Sequence, residues 1–342
     1  MVYSQSTRSH VSRIVGTVLA LSIAGFASSQ SLRSESGMPP EPPPPGLGPN
    51  NSSATTQSPA VTVIAPPRPT ADQLAGDSLF QFIVHHGSTH YSVAAGIITG
   101  GLLRWRGGRA ETICPATAGL EQGYNEFVTA RVRAVATFVG APVQAQLPCE
   151  PNVQILFTSE PGAAMKAVLK WAARSLGVGF PHQEQRELQI SADHAIQGWY
   201  VTAGGGYTVL NRDPSLIGGI QIQSLWPRVV PVSAKANGGN RSILSVVLLV
   251  DTTKMADFPI EPLADYLALA ALTVIETPDH CDALPSILEL TSSSSCNREK
   301  PAELTAGDLA FLKWLYYQNT GLGKTLSRGA IQYNMMREFQ GG

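Results

Sequence analysis

Residues 242–276 read SILSVVLLVDTTKMADFPIEPLADYLALAALTVIE, and this stretch decides the fold. Ser242 to Val250 is apolar without alternation, so both faces of the segment must be covered. It predicts a central strand. Pro262 to Glu276 then predicts a strongly apolar helix in which only Asp265 and Glu276 carry charge. A strand and a helix that both lack a polar face need partners on every side. They belong at the middle of a larger core.

The neighbouring signals supply those partners. Tyr124, Phe127, Val128, Val132, Val135, Ala136 and Val139 follow the spacing of one helical face, and Gly140 and Pro142 end it. Val153 to Thr158, VQILFT, and Ile196 to Thr202 predict strands. Ser159 can cap a helix with Pro161 in its first turn, continuing through Ala163 to Leu176. Thr305 caps another, with Asp308 as the acidic partner three residues on. Ile331, Met335 and Phe339 mark a last helix. The helices fall around the strands without regular βαβ alternation, so the expected class is α+β, a mixed sheet with packed helices.

Charge and address narrow the function classes. The 342 residues hold 24 Lys+Arg and 25 Asp+Glu, and charged residues are only 14%. No excess of positive charge is present to neutralise phosphates, so a nucleic-acid partner is not expected. Arg8 and Arg13 precede Ile14–Phe26, a 13-residue apolar run. Gly25 and Ala27 fit a cut after Ala27, so 1–27 reads as a signal peptide, with no stable membrane span once it is removed. Residues 28–70 hold 11 of the 25 prolines, including Pro42 to Pro45, and read as a disordered Pro/Ser-rich linker. Residues 71–342 are then the α+β domain, with a sub-boundary near 150. The expected location is exported, periplasmic or extracellular.

Export makes disulfides the expected state of Cys114, Cys149, Cys281 and Cys296. Three connectivities exist, and proximity favours Cys114–Cys149 with Cys281–Cys296. A zinc site at the cysteines is not expected, since only His280 beside Cys281 approaches ligand spacing.

Motifs for common chemistries fail. Gly321-Leu-Gly-Lys-Thr325 lacks the glycine that a phosphate loop needs at Gln318, and Gly204–Gly206 is followed by Val209 where a dinucleotide fingerprint needs glycine. G-x-S-x-G and H-E-x-x-H do not occur. His85, His86 and His90 in VHHGSTHY could bind zinc or copper, with His86 and His90 on one face of a helix or strand. The plainer expectation is a polar loop. Arg104, Trp105, Arg106 and Arg109 could meet an anion, although a solvated edge is the commoner place for such residues. No cofactor is expected.

The order of parts in the C-terminal third resembles the metzincin branch of the zincin metalloproteases. The parts are a strand ending at Val250-Asp251, the Pro262–Glu276 helix, Leu284-Pro-Ser286-Ile287-Leu288, and Leu304-Thr305-x-x-Asp308 leading to Leu315-Tyr316. The motifs cover roughly residues 242–318, and a zincin-like part would span about 151–342. Where that family carries H-E-x-x-H, this chain has Ala264-Asp265-Tyr266-Leu267-Ala268. Alanine methyls cannot ligate zinc, so the resemblance implies the fold without the family's zinc chemistry. Asp265 stands at the general-base position. The chain also resembles uncharacterised exported bacterial proteins in RWRGGRAETICPATAGL, CEPNVQILFTSEP and LADYLALAAL.

The expected function is therefore non-catalytic binding of a protein or envelope component, on a degenerate zincin-like fold. A hydrolase using Asp251, Asp265 or Asp308 with the histidine cluster is one alternative. A metal-binding protein using His85, His86 and His90 is another.

Overall fold

The computed structural model describes residues 66–94, 97–107, 112–164, 166, 194–203, 207–210, 215–217, 220–222, 228–231, 242–276, 280–292, 296, 298–317 and 326–341. The expected signal peptide, linker residues 28–65, Gly204–Gly206, Arg109 and Gly321–Thr325 lie outside them.

Helix α1 (Ser78–His86) leads into an antiparallel ribbon of β1 (Thr89–Ala94) and β2 (Ile97–Leu102). Then follow β3 (Pro115–Ala118), α2 (Gln122–Phe138), β4 (Val153–Thr158) and β5 (Ile196–Ala203). Two small antiparallel ribbons pair β6 (Tyr207–Leu210) with β9 (Arg228–Pro231) and β7 (Ser215–Ile217) with β8 (Ile220–Ile222). Strand β10 (Ser242–Asp251) precedes α3 (Ile260–Leu272), α4 (Ala306–Tyr316) and α5 (Arg328–Phe339).

The main sheet has the order β3-β4-β10-β5. Strand β4 runs parallel to both β3 and β10, while β5 is antiparallel to β10. The class is thus mixed, with helices packed on a mixed sheet. Val246 lies opposite Val153 on one side and Tyr200 on the other. All ten residues of β10 are buried, as an apolar run without alternation requires. Helix α2 packs on α3 and presents Val128, Val132, Val135 and Ala136 to the core.

Helix α3 stops at Leu272, four residues short of the expected Glu276. Two backbone bonds explain the early stop. Ser88 N–H donates to the Val274 carbonyl at 2.8 Å, and Glu276 N–H donates to the His85 carbonyl at 3.0 Å. These draw residues 274–276 away to the end of α1.

The helix end leaves carbonyls that need donors. Thr273 N–H takes Leu269 O at 3.1 Å. Tyr200 Oη–H takes Ala270 O at 2.8 Å, Trp105 Nε1–H takes Ala271 O at 2.9 Å, and Tyr316 Oη–H takes Leu272 O at 2.5 Å. Three aromatic side chains from three other segments therefore seal the end of the most buried helix. Burial holds the Tyr316 phenol well above its ordinary value, which keeps the proton it donates.

Arg104 and Trp105 do not form the solvated edge expected of them. Both are buried, and Arg104 Nη1 donates to the Leu315 carbonyl at 2.5 Å. Desolvation lowers the pKa of its guanidinium from the ordinary value.

Tyr316→Phe should leave Leu272 O buried without its donor and cost about 1–3 kcal/mol. The urea midpoint should fall with the slope unchanged. An unchanged midpoint would mean the seal contributes nothing.

Both disulfides join the cysteines that proximity favours. Cys114–Cys149 closes a separation of 35 residues, and Cys281–Cys296 one of 15. In the chain-entropy picture the shorter loop stabilises by about 3 kcal/mol and the longer by about 4 kcal/mol. Replacing Cys281 and Cys296 together by serine should lower unfolding free energy by about that smaller amount, measured in urea. No described helix is long and apolar enough to cross a membrane.

Candidate functional site

The helix positions Ala264, Asp265 and Ala268 come first. Ala264 and Ala268 are both wholly buried in the main core. Asp265 beside them is buried too. Its carboxylate meets the Arg131 guanidinium of α2 in a fork, with Nε to Oδ1 at 2.5 Å and Nη2 to Oδ2 at 3.0 Å. Leu304 N–H donates to Oδ2 at 2.9 Å. Such bidentate pairing satisfies a carboxylate that burial would otherwise penalise. Arg131 sits within the apolar face of α2, one residue before Val132. It joins α2, α3 and the segment leading into α4.

Asp251 is a cap. Its Oδ1 accepts from Thr253 N–H at 3.0 Å and Thr253 Oγ1–H at 2.6 Å, opening the helical turn Thr252–Met255.

Asp308 does meet a histidine. His86 Nε2 lies 3.0 Å from Asp308 Oδ1 and 2.8 Å from Ser286 Oγ, and Ser286 Oγ lies 2.7 Å from the same Oδ1. Serine, histidine and aspartate together suggest a nucleophile triad, but the wiring differs. A triad needs the two imidazole nitrogens divided between serine and carboxylate. Here one nitrogen faces both, while Nδ1–H donates to the Phe82 carbonyl at 2.7 Å.

Access also fails. His86 is 1% exposed, Ser286 3% and Asp308 0%, so no substrate reaches them. The remaining bonds are those of a structural lock. Asp308 Oδ2 accepts from Ile287 N–H, Thr305 N–H and Thr305 Oγ1–H, each at 2.9 Å. Ser286 Oγ accepts from Leu288 N–H at 3.1 Å, opening the 3-10 turn Ile287–Leu290. The lock ties α1 to that turn and to the start of α4. The capping pair Thr305 and Asp308 appears as the sequence suggests.

VHHGSTHY is not one polar loop. His85 and His86 end α1, Gly87 is its C-cap, and Thr89 and His90 open β1. The shared face expected of His86 and His90 is lost because the chain changes from helix to strand between them. The side chain of His90 lies outside what is described. His85 and His86 also part ways, since His86 turns to Ser286 and Asp308.

His85 joins two residues from the far end of the chain. Its Nδ1 lies 2.9 Å from Asp282 Oδ1 and 3.2 Å from Oδ2. His280 Nε2 lies 3.8 Å from the same Oδ1. The two imidazoles stand with ring centres 3.6 Å apart and planes inclined by 43°. His280 and Asp282 flank Cys281, so the disulfide to Cys296 fixes the segment that carries both. Arg298 adds a grip, donating through Nη2 to the Asp282 carbonyl at 2.6 Å and through Nη1 to the Ala283 carbonyl at 3.2 Å. Its guanidinium also pairs with buried Glu289.

The sequence shows His280 beside a cysteine but gives no sign that it reaches His85. No family model, curated protein or solved structure matches the chain.

Proposed function

We propose that the protein is an exported, non-catalytic binding protein built on a degenerate zincin-like fold, acting on a protein or envelope component. One observation carries the non-catalytic reading. The helix that would hold a metalloprotease's zinc offers two buried methyl groups, Ala264 and Ala268, and a carboxylate already committed to Arg131 and Leu304. Methyl groups supply no lone pair to a metal, and the paired Asp265 has no open face to a water. The packing of a central strand, an apolar helix, the Ser286 turn and the Asp308 cap in that chain order supports the zincin-like reading. The two disulfides support residence in an oxidising compartment.

The test has two arms. Purified mature protein supplied with Zn²⁺ should leave a complex peptide library uncleaved, as read by mass spectrometry. Cleavage that disappears on Asp265→Asn would overturn the non-catalytic reading. Crosslinking in the host envelope should recover the same partner in every replicate, and not with an unrelated exported control. Recovery of nothing above that control would remove the binding role.

A further inference from the structure

We propose that His85, His280 and Asp282 form a binding site for a divalent transition-metal ion of the zinc class. The three residues each offer a ligand atom, and these atoms all lie within 4.8 Å of one another. A tetrahedral zinc with ligands about 2.1 Å away sets those ligands about 3.4 Å apart. The separations of 2.9 Å and 3.8 Å to Asp282 Oδ1 bracket that value. Two imidazoles and a carboxylate suit Zn²⁺, Ni²⁺ or Cu²⁺ better than Mg²⁺ or Ca²⁺, which take oxygen ligands.

The site is held from two directions. His85 is fixed at the end of α1, where its carbonyl accepts from Glu276 N–H. Asp282 is fixed by the neighbouring disulfide and by Arg298 on its carbonyl. The Asp282 side chain is 6% exposed and that of His85 13%, whereas His280 is 46% exposed. A partly buried imidazole and a more deeply buried carboxylate with a second imidazole at the rim give an ion an entry path. Three protein ligands leave a fourth tetrahedral position for water or an incoming group. The site shares no residue with the degenerate helix, so it stands or falls apart from the proposed function.

The experiment titrates Zn²⁺ into tag-free mature protein with intact disulfides, using calorimetry and thermal unfolding. One equivalent should bind, and saturating Zn²⁺ should raise Tm. His280→Ala removes a half-exposed side chain and should fold with an unchanged Tm in the absence of metal. It should weaken Zn²⁺ binding at least tenfold and abolish the Tm rise. Asp282→Asn should weaken binding similarly. Absence of saturable binding to the wild type would overturn the site. Equal affinity in the wild type and His280→Ala would overturn it as well.

Discussion

Asp308→Ala should destabilise the fold more than any other single side-chain change considered. Its carboxylate lies 2.7–3.0 Å from His86 Nε2, Ser286 Oγ, Ile287 N, Thr305 N and Thr305 Oγ1, with His86, Ser286 and Ile287 buried. Removing it takes the acceptor from the Ile287 and Thr305 N–H groups at once, while His86 Nε2 and Ser286 Oγ keep each other and Thr305 Oγ1 keeps the Pro285 carbonyl. Loss of one partner from a buried charged network costs about 3–5 kcal/mol. That is a large part of the 5–15 kcal/mol typical of a whole domain. Asp308→Asn should lose less, because its amide oxygen can keep the Ile287 and Thr305 N–H bonds while its NH2 faces His86 Nε2 and Ser286 Oγ, which can both accept. Urea unfolding checks this directly. A loss below about 1 kcal/mol would show that the lock does not hold α1 to α4.

Asp265→Leu should come close behind, since it leaves the Arg131 guanidinium in the core without its carboxylate. The expected loss is again about 3–5 kcal/mol. Adding Arg131→Met should restore most of it, because two apolar groups then meet where two charges met. Leu304 N–H, which also donates to Asp265, would remain unpaired and keep the double variant about 1–3 kcal/mol below the wild type. A double-mutant cycle therefore separates two roles for this acid. A structural partner of Arg131 gives strong coupling. An acid kept for chemistry commonly sits at some cost to the fold, so Asp265→Leu alone would then be neutral or stabilising.

Local signals were the legible ones. The unbroken apolar run of β10 announces burial on both faces, and β4 carries the same signature in VQILFT. Thr305 and Asp308 form their capping box within four residues, so the sequence shows it outright. The histidine cluster misleads because proximity in sequence stands in for proximity in space. Gly87 ends a helix between His86 and His90, and the chain turns into a strand. His85 finds Asp282 across 197 residues, and Arg131 finds Asp265 across 134. Periodicity carries no information about such pairings.

Arg131 is hidden for a further reason. A charged residue between apolar positions on an amphipathic helix reads as the edge of its polar face, when here it turns inward to a carboxylate. The end of α3 was illegible for the same kind of reason. Its apolar run continues through Val274 and Ile275, and the backbone of Ser88 and of His85, brought there by the fold, ends the helix.

Hydrogen exchange of the backbone amides from Ala264 to Leu272 tests most directly whether α3 is a sealed core element. With Ala264 and Ala268 wholly buried and the last carbonyls sealed by Tyr200, Trp105 and Tyr316, these amides should exchange only through global unfolding. They should rank among the slowest in the chain, with β10. Exchange as fast as that of surface turns would contradict this, and would place the helix beside an open cleft.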